Sequence, residues 1–303
     1  MHDFDFQPVP GTLLTLEPGL DVVLAPNPSP MTGPGTNTYI LGKTSLAIID
    51  PGPMSDEHLA ALIAAIDGRH VSHIFVTHSH LDHSPLAKPL SEAVHAPIFG
   101  FGDTFAGRSE VMTRLAESGL HGGGEGLDHD FAPDVIVSDG QQFSEPDWTV
   151  EVIYTPGHLG NHIALKWGDA VFVGDLVMGW STSLVSPPDG DMTDFLASCE
   201  RLSKVPARVH YSGHGAPITN PHERLLELIA HRSARTSQII EALKGEPRSV
   251  VQIVDEIYVD LDARLKGAAG RNVLAHLVDL YVKDLVSPVG HLSADVLFEL
   301  CKK

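Results

Sequence analysis

The chain of 303 residues has few cysteines, few basic residues and no long apolar run, and each shortage excludes a class of protein. Its two cysteines, Cys199 and Cys301, cannot form a disulfide framework or a cysteine-based zinc ribbon. No apolar run reaches the roughly 18 residues that a membrane-spanning helix requires. The first five residues have no basic region of the kind that opens a secretory leader. We therefore expect a cytoplasmic protein without a membrane segment.

The shortage of basic residues is concentrated in one part of the chain. There are 20 lysines and arginines against 39 acidic residues, a net charge of −19. Residues 1–221 contain 27 acids and 9 bases, whereas residues 222–303 contain 12 acids and 11 bases. Strong acidity argues against general binding to a phosphate backbone. The step in charge predicts two domains, 1–221 and 222–303.

A hydrophobic content of 43% is enough for a substantial core, so the chain is expected to be globular. In the first part, short apolar runs alternate with helical patterns and are separated by glycine and proline. The predicted strands are residues 38–41, 46–49, 73–77, 150–153, 163–166, 170–173 and 208–211, the first two forming a hairpin around Gly42. The predicted helices are residues 55–66, 84–94, 104–118 and 193–203, the second beginning with Ser84 as N-cap and Pro85 in the first turn. This alternation predicts layered α/β sheets with helices outside.

The second part has a helical pattern throughout. Apolar residues recur at helical spacing in residues 223–243, and further helices are predicted at 249–258, 268–284 and 293–300. Long apolar helices here are compatible with a homodimer.

The chain is rich in histidine, with 18 residues, and four potential metal ligands follow one predicted strand within six residues. His78 and His80 are two residues apart, so their side chains lie on the same side of an extended backbone. The turn that follows brings Asp82 and His83 towards the same space. Nitrogen and oxygen ligands of this kind suit zinc or a similar cation. The competing interpretation is a solvated polar loop.

Three more strand ends favour the metal interpretation. His158, Asp175 and His214 each follow a predicted strand and each has a glycine beside it. Glycine lets the backbone approach a site closely, and loops at strand ends commonly hold functional residues. Four strand ends that each present His or Asp indicate one assembled metal site.

In this order, the residues resemble the motif of the metallo-β-lactamase-fold hydrolases. Over nearly the whole chain, the sequence is most similar to the branch containing the beta-lactamase-like endoribonuclease of animals and its bacterial relatives. The residues that match this branch are Asn27-Pro28, Gly35-Thr36-Asn37-Thr38-Tyr39, Ser186-Pro187-Pro188-Asp189-Gly190-Asp191-Met192 and Asn272-Val273-Leu274-Ala275-His276-Leu277. The resemblance implies a four-layer αβ/βα sandwich followed by a C-terminal helical module similar to a winged helix.

The resemblance also implies a ligand set. One metal ion would be bound by His78, His80 and His158, and a second by Asp82, His83 and His214, with Asp175 between the two. Two divalent ions are expected, zinc first, with iron or manganese allowed by the same donors. Asp82 is expected to be catalytic, because it can hold a metal and orient the nucleophilic hydroxide that bridges the two ions. Many relatives have glycine after the Asp-His pair, where this chain has Ser84 and Pro85.

A substrate is harder to predict than a reaction class. The leading hypothesis is a dinuclear hydrolase that attacks a small ester, thioester, lactone or phosphodiester with a metal-bridging hydroxide. One alternative is an endoribonuclease acting on single-stranded RNA, which the acidity of residues 1–221 opposes. Another is a DNA-binding regulator or a catalytically idle metal-binding protein, and we do not expect DNA binding because residues 222–303 lack a basic surface.

Four residues near the motifs are candidates for contact with substrate. His162 follows His158 by four residues, Asn37 and Tyr39 precede or begin a predicted strand, and Trp180 follows Asp175 closely. Ligand pockets favour aromatic walls with a few polar groups. Ordinary packing is an equally good interpretation for Tyr39 and Trp180. For His162, support of a metal ligand and ordinary packing are the alternatives.

Overall fold

The computed structural model describes residue 6, residues 8–123 and residues 126–301. The first five residues, on which the expectation about a leader depends, lie outside this range. Within it, no helix is both long and apolar enough to cross a membrane.

The N-terminal half of the fold is a seven-stranded sheet. Its strands, in spatial order, are β1 (Leu13–Glu17), β2 (Leu20–Leu24), β3 (Asn37–Leu41), β4 (Ser45–Ile49), β5 (His70–Phe75), β6 (Ile98–Gly100) and β7 (Val135–Ile136). Strands β1 to β4 pair antiparallel, and β4 to β7 pair parallel. The predicted hairpin around Gly42 is confirmed as β3 and β4.

A second sheet of five strands packs against the first. Its strands are β8 (Gln142–Glu145), β9 (Trp148–Tyr154), β10 (Ile163–Trp167), β11 (Ala170–Gly174) and β12 (Val209–Ser212). They lie in the order β12-β11-β10-β9-β8, and only β11 and β12 run parallel. The C-terminal ends of β11 and β12 therefore lie at the same edge of the sheet.

Helices cover the outer faces of both sheets. The helices of the chain are α1 (Asp56–Ile66), α2 (Ala87–Val94), α3 (Glu110–Glu117), α4 (Met192–Leu202), α5 (Pro221–Ala242), α6 (Val250–Ile257) and α7 (Lys266–Val282), of which α3, α6 and α7 share a separate core with the end of α5. Side chains alternate along each strand, so Val22 faces the second sheet while Val23 packs with α1 and α2. On the other side, α4 and the first half of α5 pack on the second sheet. The four-layer αβ/βα sandwich is confirmed.

Two predicted helices begin later than expected. Helix α2 begins at Ala87 without a side-chain cap, because the Ser84 hydroxyl donates to Asp128 Oδ2 at 2.7 Å. The prediction that Ser84 caps this helix is therefore wrong. The predicted helix at 104–118 is shortened to Glu110–Glu117, because Gly107 adopts a φ of +75° in a turn before it.

The C-terminal module contains a hairpin in addition to its helices. Strands β13 (Val286–Pro288) and β14 (Phe298–Leu300) pair antiparallel, so the prediction of a helix at 293–300 is wrong. Phe298 is fully buried, and its backbone exchanges two hydrogen bonds with Arg248 at 2.8 and 2.9 Å. Burial of this aromatic ring and pairing with a second segment override the local helical pattern.

Helix α5 joins the two cores. Leu225 and Leu228 at its start pack on the second sheet, whereas Ile239 and Ala242 at its end pack on α6 and α7. The predicted boundary between residues 221 and 222 coincides with the start of this helix and stays a prediction. The C-terminal module is therefore attached to the sandwich through a shared helix.

Candidate metal centre

The predicted ligands meet at one edge of the sandwich, in loops that leave the strands of both sheets. His78, His80, Asp82 and His83 lie in the loop after β5, and His158 lies in the connection between β9 and β10. Asp175 directly follows β11, and His214 follows β12 by two residues. All seven side chains are buried.

Three imidazoles form the first half of the centre. His80 Nδ1 lies 3.1 Å from His78 Nε2 and 3.0 Å from His158 Nε2. We refer to these three residues as the three-His half. His80 is unusual among the ligands because it turns Nδ1 towards its neighbours.

Two carboxylates and two imidazoles form the second half. His214 Nε2 lies 3.1 Å from Asp82 Oδ2 and 3.2 Å from Asp175 Oδ2, and His83 Nε2 lies 3.4 Å from Asp175 Oδ1. We refer to these four residues as the Asp/His half. Within each half, the ligand atoms lie within 4.8 Å of one another. Asp175 Oδ2 is also 3.9 Å from His158 Nε2, so Asp175 lies between the two halves, where the resemblance places it.

Most of the imidazoles are oriented by a hydrogen bond from the ring nitrogen that points away from the centre. His158 Nδ1 donates to the Leu184 carbonyl at 2.8 Å, and His214 Nδ1 donates to the Gly35 carbonyl at 3.1 Å. These bonds place the proton on Nδ1, so in the neutral rings Nε2 faces the centre with a free lone pair.

Asp50 is a residue of this site that the sequence analysis missed. It follows β4 and adopts a φ of +52°, in the left-handed region that aspartate tolerates better than most residues. Its Oδ2 accepts from His83 Nδ1 at 3.0 Å and from the Thr77 hydroxyl at 2.7 Å, and its Oδ1 accepts from the Thr77 backbone N–H at 2.7 Å. Because the Thr77 proton goes to Asp50, Thr77 Oγ1 must accept from His78 Nδ1 at 3.0 Å. One carboxylate thus orients a ligand in each half.

The donor set fits metal ions better than it fits a hydrogen-bonded cluster. In the three-His half, His78 Nε2 and His158 Nε2 both turn lone pairs towards His80 Nδ1, which has at most one proton to share. In the Asp/His half, neither oxygen of Asp82 nor Asp175 Oδ1 has a hydrogen-bond partner among the described residues, although all are buried. Buried carboxylate oxygens without partners are costly unless a cation satisfies them.

The two halves have opposite electrostatics. Burial lowers the pKa of His80 to about 3, and burial also lowers the pKa values of His78 and His158. Burial would lower the pKa of His214 as well, but the Asp175 and Asp82 carboxylates raise it to about 10. The same carboxylates, with Asp50, raise the pKa of His83. Without metal, the three-His half is therefore neutral and the Asp/His half is a cluster of charged groups.

Two glycines allow the loops to approach this closely. A Cβ atom on Gly213 would lie 2.3 Å from Asp175 Oδ1 and 2.6 Å from His83 Cε1. A Cβ atom on Gly174, whose φ is +46°, would lie 2.8 Å from Thr77 Oγ1. Distances below about 3 Å leave no room for a side chain, which explains the glycines beside the predicted ligands.

Asn37 and Tyr39 hold a ligand loop from behind. Asn37 Nδ2 donates to the carbonyls of Ser212 and Gly215, at 3.1 and 2.9 Å, and the Tyr39 hydroxyl donates to Ser212 at 2.6 Å. Both residues are buried, and Tyr39 belongs to the core between the sheets. The structure therefore places them where they fix the segment that carries His214.

His162 and Trp180 occupy different positions. His162 is fully buried behind His78, with ring centroids 5.2 Å apart, and its Nδ1 contacts Thr155 Oγ1 at 2.9 Å. Trp180 is half-buried against the residue that follows His214, since a Cβ on Gly215 would lie 2.8 Å from its ring. Contact with substrate stays a prediction for both, and the position of Trp180 suits it better.

Comparisons with protein families agree with this architecture. Residues 31–214 match the model of the metallo-beta-lactamase superfamily, and residues 249–291 match that of the beta-lactamase associated winged helix domain. The first match spans all seven predicted ligands. The second covers most of the C-terminal module.

Two curated relatives align along most of the chain. A beta-lactamase-like protein 2 homolog of Caenorhabditis elegans is 29% identical over 262 residues, which cover 83% of this chain and 80% of the relative. An atrochrysone carboxyl ACP thioesterase of Aspergillus fumigatus is 30% identical over 280 residues, which cover 89% of this chain and 81% of the relative.

Solved structures share the fold. A beta-lactamase domain protein from Burkholderia ambifaria superposes with a TM-score of 0.80 at 22% identity, covering 98% of this chain and 96% of its own. A metallo-beta-lactamase family protein from Thermus thermophilus superposes with a TM-score of 0.75 at 24% identity, covering 94% of this chain and 100% of its own.

Proposed function

The chain belongs to the metallo-beta-lactamase superfamily of metal-dependent hydrolases, and from this premise we propose that it holds two divalent metal ions and hydrolyses a small acyl substrate, a thioester in the first place. The observation that supports two ions is the convergence of seven buried ligand residues into two groups, with carboxylate oxygens that have no other partner.

The two groups of ligand residues would each hold one metal ion. His78, His80 and His158 would hold one ion, and Asp82, His83 and His214 the other, with Asp175 shared. Zinc is the ion we expect, because imidazole with carboxylate is among its common ligand sets. When bound, two such ions supply Lewis acidity to a carbonyl oxygen and lower the pKa of water towards neutrality.

Asp82 is the residue that we propose as the catalytic carboxylate. Its Oδ2 lies 3.1 Å from His214 Nε2, and its Oδ1 is buried with no hydrogen-bond partner among the described residues. We assign to Oδ1 the orientation of the attacking water and the acceptance of its proton. Addition of water to the carbonyl carbon and cleavage of the carbon–sulfur bond give a carboxylic acid and a thiol.

A small acyl substrate is favoured by one relative and by charge. The Aspergillus fumigatus relative is named a thioesterase, and it aligns with 89% of this chain. Residues 1–221 have a net charge of −18, of which two divalent ions offset only four. A polyanion would meet a repulsive field at such a domain, whereas an uncharged thioester carbonyl would not.

The C-terminal module offers little to a nucleic acid. Its local basic cluster is Arg264, Lys266 and Arg271, but Arg264 pairs with Asp262 at 2.7 Å and Lys266 pairs with Asp255 at 2.6 Å. Cations neutralised in this way contribute little to phosphate binding. This pairing supports the proposal that RNA and DNA are not the substrates.

The proposal is tested by metal content and a substrate panel. The full chain is refolded with zinc, its zinc is counted, and it is assayed on a glutathione thioester, a homoserine lactone, a β-lactam, a phosphodiester and single-stranded RNA. We expect two zinc ions per chain and the highest kcat/KM on the thioester. Fewer than one ion per chain, or RNA as the best substrate, would contradict the proposal.

A further inference from the structure

The segment of residues 183–191 connects the metal centre with the C-terminal module. Its Leu184 carbonyl accepts from His158 Nδ1 at 2.8 Å, so this one backbone group orients a ligand of the three-His half. The peptide groups on both sides of Leu184 are bound by the module. The Ser183 carbonyl accepts from Arg232 Nη2, and the Val185 N–H donates to Asn272 Oδ1 at 3.2 Å.

Arg232 on α5 is an unusual residue for a protein core. It is only 2% exposed, and no carboxylate among the described residues lies within ion-pair distance of it. Burial lowers its pKa to about 10, so the guanidinium is still charged at neutral pH. A buried cation without an acidic partner destabilises a fold. The interactions that compensate for its burial are its hydrogen bonds to Ser183 and Asn272 and the contact of its guanidinium with the Phe195 ring, whose centroid lies 5.3 Å from Cζ.

Asn272 on α7 has a fixed orientation. Its Oδ1 accepts from both the Val185 N–H and Arg232 Nη1, the latter at 3.0 Å, and its Nδ2 donates to the Ala268 carbonyl at 3.2 Å. If the amide oxygen and nitrogen were exchanged, the Val185 N–H and Arg232 Nη1 would both point at the Nδ2 donor. The Oδ1 acceptor would then face the Ala268 carbonyl oxygen. Arg232 and Asn272 thus form one hydrogen-bonded unit, which we name the Arg232–Asn272 pair.

The module also makes contacts with the chain after Val185, farther from Leu184. Arg271 Nη1 donates to the Pro187 carbonyl at 3.1 Å, and the Thr193 hydroxyl donates to Asp279 Oδ1 at 2.7 Å. The first contact attaches the segment to α7, and the second attaches Thr193, at the start of α4 just beyond the segment, to the same helix. They do not adjoin the Leu184 carbonyl, so they provide a comparison for the Arg232–Asn272 pair.

We propose that Arg232 and Asn272 are positioning residues for the metal centre: they hold the two peptide groups that flank Leu184, and the Leu184 carbonyl in turn sets the orientation of the His158 ring. The inference rests on the two-metal centre of the proposed function. It gives the C-terminal module a role at the metal site, and it explains why the segment of residues 183–191 joins two domains.

The proposal predicts an effect on one half of the centre only. Outer partners of metal-binding histidines typically change metal affinity by about 10- to 100-fold, and these residues act one step farther away. We therefore expect Arg232→Met and Asn272→Ala to lower the affinity for the zinc ion of the three-His half by about tenfold. Asp82, His83 and His214 do not contact the segment's Leu184 carbonyl, so the second zinc ion should bind as in the wild type.

The experiment uses the full chain and a competition titration of zinc against a chelating indicator. The two zinc dissociation constants are compared among the wild type, Arg232→Met, Asn272→Ala and Asn272→Asp. Asn272→Asp keeps an oxygen acceptor for Val185 and Arg232 but loses the donor to the Ala268 carbonyl, so its zinc affinity should lie closer to the wild type than that of Asn272→Ala. The imidazole region of the proton–nitrogen NMR spectrum identifies the affected ligand, because the His158 Nδ1–H signal should shift or broaden in Asn272→Ala and return in Asn272→Asp.

Thr193→Val is the matched control, because it removes a contact between the start of α4 and α7 without changing the hydrogen bonds beside Leu184. It should leave both dissociation constants within twofold of the wild type. Thermal unfolding of each metal-free variant shows whether the module is still docked. If Arg232→Met does not fold, the two Asn272 variants decide the question.

The results separate this proposal from the proposed function. A wild-type chain that binds fewer than two zinc ions contradicts the two-metal function itself. If the wild type binds two and Asn272→Ala also binds both with unchanged affinity, only the positioning role is overturned. The positioning role is likewise overturned if Thr193→Val lowers zinc affinity as much as Asn272→Ala does. It is also overturned if Asn272→Ala lowers the affinities for both zinc ions equally.

Discussion

The two halves of the metal centre use different donors and are supported in different ways. The three-His half has neutral imidazoles with low pKa values, and one of them depends on a backbone carbonyl at Leu184. The Asp/His half has two imidazoles whose pKa values are raised by carboxylates, and its His83 depends on the Asp50 side chain. One half is therefore ready to bind a cation, whereas the other must first release protons.

This difference suggests a division of roles. Neutral imidazoles held in one tautomer favour tight retention of an ion. A carboxylate such as Asp82, whose Oδ1 has no hydrogen bond among the described residues and whose Oδ2 contacts only imidazoles, can change its contacts during a reaction more readily than a fully hydrogen-bonded group. We therefore expect changes in the three-His half to affect metal content first, and changes in the Asp/His half to affect turnover first.

The largest expected effect comes from Asp82→Asn, which should separate turnover from metal retention. The amide keeps the size of the side chain but cannot accept a proton as the carboxylate does, so kcat/KM on the thioester should fall by about 10³-fold. Zinc counting should show that the ion of the three-His half is retained. Asp139→Asn, which removes a surface carboxylate paired with Arg201, is the control and should leave both values unchanged. Loss of both ions from Asp82→Asn would contradict the separation of roles.

Asp50→Asn should affect both halves of the centre alike, because Asp50 supports a ligand in each half. The amide NH2 would face two donors, the His83 Nδ1–H and the Thr77 hydroxyl, where an oxygen is now. Both zinc ions should bind about 10- to 100-fold more weakly, as is typical when an outer partner of a ligand is lost. Two dissociation constants from a competition titration test this. Weakening of only one ion would show that the bond through Thr77 to His78 has no role.

The pH dependence of zinc binding should distinguish the halves. In the metal-free protein, His214 has a pKa raised to about 10 and holds a proton at pH 7, which zinc must displace. Affinity at the Asp/His half should therefore fall by about tenfold for each unit of decreasing pH per proton released. His80, with a pKa lowered to about 3, releases none between pH 6 and 8. Equal pH slopes for the two zinc ions would contradict the assignment of charge.

The smallest expected effect comes from Tyr39→Phe. The substitution removes one hydrogen bond to the Ser212 carbonyl, which still accepts from Asn37 Nδ2. The free energy of unfolding should fall by about 1 kcal/mol, as is typical of one buried hydrogen bond. Zinc affinity should change by less than a factor of about three. A fall in kcat/KM on the thioester that corresponds to more free energy than the loss of stability would instead indicate contact between Tyr39 and the substrate.

The ligands could be predicted from the sequence because each lies at the end of a strand with a recognisable pattern. His78 to His83 have a spacing that few other structures need, and His158, Asp175 and His214 follow apolar runs. Asp50 follows an apolar run too, but one aspartate before a proline is common in ordinary turns. Its role depends on a contact across 33 residues, and sequence spacing does not reveal such a contact.

The fold was predictable where a local pattern decided the structure. The layers and the β3–β4 hairpin follow from apolar periodicity and a glycine turn. The start of α2 was not, because Ser84 bonds to Asp128, which is 44 residues away. The β13–β14 hairpin was missed for a similar reason, since burial of Phe298 against the helices of the module decides its conformation.

The order of the ligands along the chain has a consequence for synthesis. His83 and His214, whose Nε2 atoms lie 3.3 Å apart, are separated by 131 residues. At a translation rate of roughly 5–20 residues per second, the first four ligands exist for about 7–26 s before the last one is made. A metal captured early in that interval would be held without His158, Asp175 and His214, and one captured late in it would still lack His214. We therefore expect both halves to be fully loaded only after β12 has joined the second sheet and His214 is in place.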